Sequence, residues 1–431
     1  MKVTVVGGGS TYTPELIDGL LRRRDQLDLS EIALVDVDSS RLAILGPLGL
    51  RMAEREAQGT NRSEVRVTWG RDVAQGVRGA AFVVSQIRVG GMAARDRDEK
   101  LGREFGLIGQ ETVGVGGFAN ALRTIPVALE ISRTIADEAP GATLLNFTNP
   151  AGLVTEALCR HGHVPTVGLC NVPWSTKAEI AAAFGTRPEQ VDLDTVGLNH
   201  LTWTRRITID GVDRTAGVLS GLRALVGKQV DHGDEPDWTA GSIELIGALP
   251  NYYLLYYYET AAWLRHQATH PTRAAEVMEI EAALLDQYAD TTLDTKPAEL
   301  EQRGGAYYSE AAAALMADIA ADAGTVHVVN TPNRDAIPGL GRDVVVEISA
   351  TIGRGGATPR PTDALRPDVD ALVRTIKDFE LLTVAAAVHG DEDAARRALL
   401  VNPLGPPAHR VHEVWSRLQE THAGWLGKLD A

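Results

Sequence analysis

Two short stretches hold donors of the kind a divalent metal takes. One is "GLCNVP" (168–173), where Cys170 precedes Asn171, and the other is "GLNH" (197–200), which ends on His200. Both follow apolar, β-branched runs, so both sit at strand ends that could meet. A thiolate and an imidazole together leave coordination positions open, as catalytic sites do. Two such ligands are too few for a closed structural site, so substrate oxygens or water would complete the shell. Each residue also has a plainer reading: a free cysteine behaves as a small buried hydrophobe, and a lone histidine is more often structural than ligating.

Other stretches add possible chemistry. "LPNYYLLYYYET" (249–260) holds five tyrosines. Most suit an aromatic packing cluster, but one could act as a base if a cation or metal lowers its pKa from near 10. "QIRVGGMAARDRDEK" carries Arg88, Arg95 and Arg97. Such a run is usually a solvated face, and it could also offer one guanidinium fork to a phosphate or carboxylate. "GLIGQETVGVGG" (106–117) reads as a glycine-rich loop around Gln110, Glu111 and Thr112. "NFTNP" puts Asn146 and Asn149 at the C-terminal end of a strand, where open α/β sheets bind ligands. Arg273 opens a helical pattern.

"VVGGGSTYTPEL" places Gly7, Gly8 and Gly9 between a strand and a helix. Glycines let a backbone approach a pyrophosphate, which the helix N-terminus then attracts. Tyr12 stands where the third glycine of G-x-G-x-x-G would be, so the motif alone is weak. Asp36, ending the next strand, strengthens it, because an acid there accepts from a ribose 2′-hydroxyl and repels the 2′-phosphate of NADP. NAD is therefore the expected dinucleotide.

These residues need elements to hold them. Strand-like runs at 2–7, 31–38, 80–87, 142–150 and 164–170 alternate with helical patterns, including one at 120–138. Alternation of this kind implies a parallel sheet with helices on both faces. The second half differs: strands with a turn at Asp210-Gly211 fill 193–213, helices are expected at 273–288 and 308–322, and "VHVVN" and "DVVVEIS" add strands. The fold expected is α/β, with residues 1–170 as a Rossmann-like nucleotide domain. Residues 171–431 are expected to form a second, α+β domain.

The chain has 431 residues, 44% hydrophobic and 23% charged, the balance of a soluble globular protein with length for two or three domains. A net charge of −15 argues against nucleic acid or an anionic membrane as the main partner. A local arginine cluster can still bind a phosphate inside an acidic protein. The N-terminus runs directly into a strand, with no signal-peptide pattern. No apolar run is long enough to span a bilayer. Cys159 and Cys170 suggest no disulfide framework, and a cytoplasmic location follows.

Taken together, "GGGSTYTPEL", "VDVD", "IRVGGMAARDRDE", "GQETVGVGG", "FTNP", "GLCNVP", "GLNH", "YYLLYYY" and "RGGAYYSEAA" resemble glycoside hydrolase family 4, in the family's order, over residues 7 to 312. The resemblance implies a Rossmann domain followed by a domain like the C-terminal one of lactate and malate dehydrogenases. It implies a glycosidase that needs NAD and a divalent metal, usually manganese, an exception to the two-carboxylate mechanism. On this route the sugar is oxidised at carbon 3, a base removes the proton on carbon 2, and the aglycone is eliminated. Water then adds and the hydride returns. Carried over by position, Cys170 and His200 match the metal ligands and Tyr253 the carbon-2 base, with Tyr252 as the competing alignment. Gly7, Gly8, Gly9, Ser10, Thr11, Asp36 and Asn149 fall at the NAD. Arg95 matches a 6-phosphate ligand and Arg273 a second, while Glu111, Asn149 and Asn171 fall at the sugar. Homodimers or homotetramers are the family's assemblies.

In the family "CN-x-P" goes with 6-phospho-β-glucosidases, "CD" with 6-phospho-α-glucosidases and "CH" with α-galactosidases. Asn171 therefore implies a 6-phosphorylated β-glucoside such as cellobiose 6-phosphate. The alternatives are the same mechanism on another sugar, an NAD-dependent 2-hydroxyacid dehydrogenase, or a sensor of NAD or a phosphosugar. Glucose against galactose, the aglycone and the physiological metal stay open.

Overall fold

The computed structural model describes residues 1–58, 64–225, 235–303 and 308–430. Positions 304–307 of the "RGGAYYSEAA" stretch lie outside the described residues.

The expected alternation builds a parallel sheet from β1 (Lys2–Val6), β2 (Glu31–Val35), β4 (Phe82–Ser85), β5 (Thr143–Asn146) and β6 (Thr166–Gly168), and β3 (Arg66–Gly70), a half-exposed run that the sequence pattern does not pick out, adds an edge strand. Their spatial order is 3-2-1-4-5-6 from one edge, the Rossmann order. β1, β2 and β4 are buried along most or all of their length, which is why their sequences read as continuous apolar runs rather than alternating ones. The chain reverses its winding between β1 and β4, and the crevice outside such a switch point is where open α/β sheets bind ligands.

A second sheet holds β7 (Val191–Leu198), β8 (Leu201–Ile209), β9 (Val212–Asp213) and β10 (Leu249–Pro250), all antiparallel. The Asp210-Gly211 turn joins β8 to β9, with φ of +49° and +76°. β11 (Val326–Pro332), β12 (Val345–Gly353) and β13 (Gly356–Pro359) do not join that sheet. They run antiparallel beside β6, Asn330 opposite Gly168, and complete a nine-stranded sheet. The first sheet thus continues through chain that lies well beyond residue 170.

The glycine-rich stretch differs from its reading as a loop. The loop ends at Val113, and the helix Gly114–Glu138 begins six residues before the expected start at Asn120. Gly116 and Gly117 lie in its first turn, where a Cβ would collide with the Gln110 carbonyl and the Thr112 backbone. Their lack of side chains lets the helix start directly over the loop. The helices Arg273–Tyr288 and Tyr308–Ala321 form as expected. The first reaches the glycine loop and the second docks on the Thr13–Arg22 helix: the Tyr288 hydroxyl donates to the Thr11 carbonyl at 2.8 Å and Ser309 to Glu15 at 2.7 Å.

Candidate active site

A cavity of about 1310 Å³ opens beyond β1 and β4 and is lined from both halves of the chain. On its nucleotide side Gly7 turns the chain at φ +92°, and a Cβ there would stand 2.6 Å from the Gln86 carbonyl oxygen. A Cβ on Gly9 would stand 2.8 Å from the Asp36 carboxylate. The backbone therefore comes close to the acid that follows β2, and the Gly9 N–H donates to Asp36 Oδ2 at 2.8 Å. Gly7, Gly9, Ser10, Asp36 and Asn149 line the cavity. Gly8 instead abuts Leu34, and the buried Thr11 hydroxyl donates to Glu281 Oε1 at 3.0 Å.

Tyr12 replaces the third glycine because the second half of the chain covers it. Its ring is buried, meets Tyr308 edge-on at 5.3 Å and lies 5.4 Å from the Arg303 guanidinium. Glu281 ties this side together, taking Arg41 and Arg303 at 2.8 Å each as well as Thr11. Burial alone would raise its carboxyl, but Arg303 and Arg41 hold it down at about 2. Neither Glu281 nor Arg41 stood out in the sequence, and Arg303 did so only as the first residue of "RGGAYYSEAA", with no role attached.

Arg95 belongs to the helix Gly91–Glu104. That run has the look of a solvated face, yet Asp98 and Glu99 are buried and the Arg95 side chain is 11% exposed. Arg95 Nε donates to Glu99 at 2.7 Å, and its Nη1 lies 3.2 Å from Glu111. Arg88 pairs with the other Glu111 oxygen. Burial would raise the Glu111 carboxyl, but Arg88 and Arg95 hold it at about 2. The Arg95/Glu99 spacing of four residues on one helix was a readable signal of this pair. Arg273 lines the same cavity and pairs with Glu276 at 2.9 Å.

The tyrosine cluster resolves into distinct roles. Asn251 accepts from the Tyr253 N–H at 3.0 Å and donates to Thr202 at 3.1 Å, fixing the one-turn helix Tyr252–Leu254 on β8. Tyr253 faces the cavity and stacks on His200, ring centroids 3.8 Å apart. His200 sits in the two-residue turn between β7 and β8 at φ +62°, a conformation uncommon for a residue with a side chain. The Thr112 hydroxyl donates to Gln110 at 2.7 Å, so at 3.0 Å from His200 Nδ1 it accepts that N–H. This fixes the tautomer that leaves Nε2 with a lone pair. Burial lowers the imidazole pKa to about 4, keeping it neutral at neutral pH.

Cys170 follows β6 and is buried. Burial and Glu347 push its thiol pKa up, while the N–H groups of Val172 and Asn171 and the Asn199 amide favour the thiolate. Cys170 and His200 stand behind the cavity wall rather than in it, whereas Tyr253 and Asn171 face the cavity. Tyr253 stacks on His200, and after burial the largest influence raising its phenol pKa is Cys170. A thiol set among N–H donors and an imidazole with a free Nε2 form a donor pair that suits a borderline divalent metal. Among the described residues no group of three or more His, Cys, Asp or Glu is arranged around a metal position. A metal held by this pair would take its further ligands from water or substrate. On the other side, the close backbone approach at Gly7 and Gly9 beside Asp36 suits a dinucleotide.

Two family models match the chain: family 4 glycosyl hydrolase over residues 2–186 and the family 4 glycosyl hydrolase C-terminal domain over 195–405. The chain is 37% identical to a probable 6-phospho-beta-glucosidase of Bacillus subtilis, covering 99% of this chain and 97% of that protein. It is 36% identical to the 6-phospho-beta-glucosidase of Escherichia coli, covering 99% and 96%. The solved 6-phospho-beta glucosidase of Thermotoga maritima with manganese, NAD+ and glucose-6-phosphate superposes with a TM-score of 0.89 at 32% identity, covering 99% of both chains. Plasmodium falciparum malate dehydrogenase, at 14% identity and a TM-score of 0.53 over 92% of this chain and 99% of its own, shares the fold alone.

Proposed function

The chain belongs to glycoside hydrolase family 4, and on that premise we propose that it is a 6-phospho-β-glucosidase, hydrolysing substrates such as cellobiose 6-phosphate. One observation carries the choice of substrate: the residue beside Cys170 on the cavity wall is Asn171. Its amide has no acidic proton to give a leaving group, the task that an aspartate in the family's α-specific pattern performs.

NAD and a divalent metal, manganese foremost, are its cofactors. When bound, they supply a reversible hydride acceptor and a Lewis acid for adjacent sugar oxygens. Gly7, Gly8, Gly9, Ser10, Thr11, Asp36 and Asn149 are the proposed NAD residues, and Cys170 and His200 the proposed metal ligands. The remaining roles fall to the chain's own side chains. Tyr253 takes the proton from carbon 2 at its phenol oxygen. Burial, Cys170 and Glu111 all disfavour the phenolate, and Arg95 and Arg273 oppose them. A bound cation adds to that opposition, so base strength and metal occupancy are linked. Arg95 has five N–H donors, and its two carboxylate partners orient the guanidinium while using only part of them. It is the proposed 6-phosphate ligand, with Arg273 as the second. Asn149, Asn171 and Glu111 orient the sugar.

Residues 1–170 are proposed as the nucleotide domain and 171–431 as the domain for substrate, metal and assembly, with Arg95 and Glu111 reaching over from the first. A homodimer or homotetramer in the cytoplasm completes the proposal, and light scattering reports the assembly. The test of function is product analysis. Cellobiose 6-phosphate is expected to yield glucose and glucose 6-phosphate while maltose 6-phosphate stays intact. The reverse preference would overturn the β-assignment.

A further inference from the structure

We propose that Tyr252 is the platform of an aglycone subsite that takes a leaving group with a ring face, aryl or pyranosyl. The inference rests on the glycosidase reading above. Tyr252 and Tyr253 are adjacent in sequence but differ in surroundings. Tyr253 has one face covered by His200. Tyr252 lines the same cavity and is 39% exposed. Carbon 1 of a sugar adjoins carbon 2, so a group leaving carbon 1 lies beside whatever neighbours the carbon-2 base.

The exposed ring is held in one orientation. Its hydroxyl donates to Glu235 at 3.0 Å. It meets Tyr253 at 6.3 Å and 86°, and Trp263 at 6.3 Å and 89°. Trp263 and Tyr256, 4.7 Å apart, continue the aromatic surface along the cavity wall. A large apolar side chain left exposed yet anchored at three points is preorganised, so a ring laid on it binds with little further ordering cost. A methyl aglycone covers almost none of this surface. The subsite therefore discriminates by the presence of a ring.

The test compares kcat/KM for three β-glucoside 6-phosphates, with p-nitrophenyl, glucosyl and methyl aglycones, in wild type, Tyr252→Ala and Tyr252→Phe. Tyr252→Ala is expected to lower the ratio of p-nitrophenyl or glucosyl to methyl substrate by about tenfold. Tyr252→Phe keeps the ring and should hold both ratios within about threefold of wild type. The p-nitrophenyl and glucosyl arms separate an aryl from a pyranosyl preference, and a selective fall in either supports the subsite. Equal losses on all three substrates, or no loss, would overturn it while leaving the glycosidase reading intact. A wild-type protein that cleaves none of the three overturns the glycosidase reading and the subsite with it.

Discussion

The imidazole of His200 lies flat on the phenol ring of Tyr253, with centroids 3.8 Å apart and planes 8° apart. The stack joins the proposed metal ligand to the proposed base, so the two groups keep their spacing without a loop between them. Tyr253→Phe preserves the stack and removes the hydroxyl. We expect kcat to fall by about 10²- to 10⁴-fold, with thermal stability close to wild type. Steady-state kinetics beside a melting curve checks this, and a kcat within threefold of wild type would remove Tyr253 from the base role.

Thr112 fixes the His200 tautomer without touching a metal position, since its hydroxyl accepts from Nδ1 at 3.0 Å. Thr112→Val deletes that acceptor at constant shape. Manganese affinity should fall about 10- to 100-fold, read from the signal of free Mn(II) in spin-resonance titrations. Cys170→Ser and His200→Ala should lose specific binding altogether. Undiminished affinity in the valine variant would remove Thr112 from the positioning role, and undiminished affinity in His200→Ala would mean that the imidazole is not a ligand.

Asp36 follows the second strand and accepts from the Gly9 N–H of the glycine loop at 2.8 Å. Asp36→Ala is expected to weaken NAD binding by about tenfold or more, the cost of a charge-assisted hydrogen bond. NADP binding should change little or improve, because a repelling charge is gone. Calorimetry with both nucleotides measures the pair, and parallel losses for the two would show that Asp36 acts only on the loop.

Glu281 predicts a pH dependence of stability. Its folded carboxyl is held at about 2 against an ordinary value of 4.5, so the ionised form is favoured by folding. Stability from this group is fully present above 4.5 and is lost as pH falls from there through about 2. Glu281→Gln should therefore cost about 3 kcal/mol at pH 7, leaving Arg41 and Arg303 without their counter-charge. The gap in denaturation midpoint between wild type and variant should narrow steadily below pH 4.5. A gap that is constant with pH would rule out the ionic account.

Much of this was legible locally. Five of the six parallel strands announce themselves as apolar runs, β3 being too exposed to do so, and the helix Arg273–Tyr288 begins at Arg273 as its pattern indicates. The glycine loop and Asp36 are neighbours through one strand–helix–strand unit. What was not legible depends on distant partners. Nothing in "VHVVN" says that it will pair with β6 rather than with β7, because strand partners are chosen by the whole packing arrangement. The charged run around Arg95 looks solvated until Glu111 and Arg123 are brought over it. Tyr12 looks like a fault in a glycine motif until Tyr308 and Arg303 cover it. The glycines of the 114–117 turn argued for a loop by propensity, and close packing on Gln110 and Thr112 overrode it.

The most direct test is release of p-nitrophenol from its β-glucoside 6-phosphate by enzyme stripped of nucleotide and metal, assayed with reductant and with NAD and manganese added singly or together. Release is expected only when both are present, with no net NADH. Full-rate release from the stripped enzyme, or NADH formed in step with product, would contradict it.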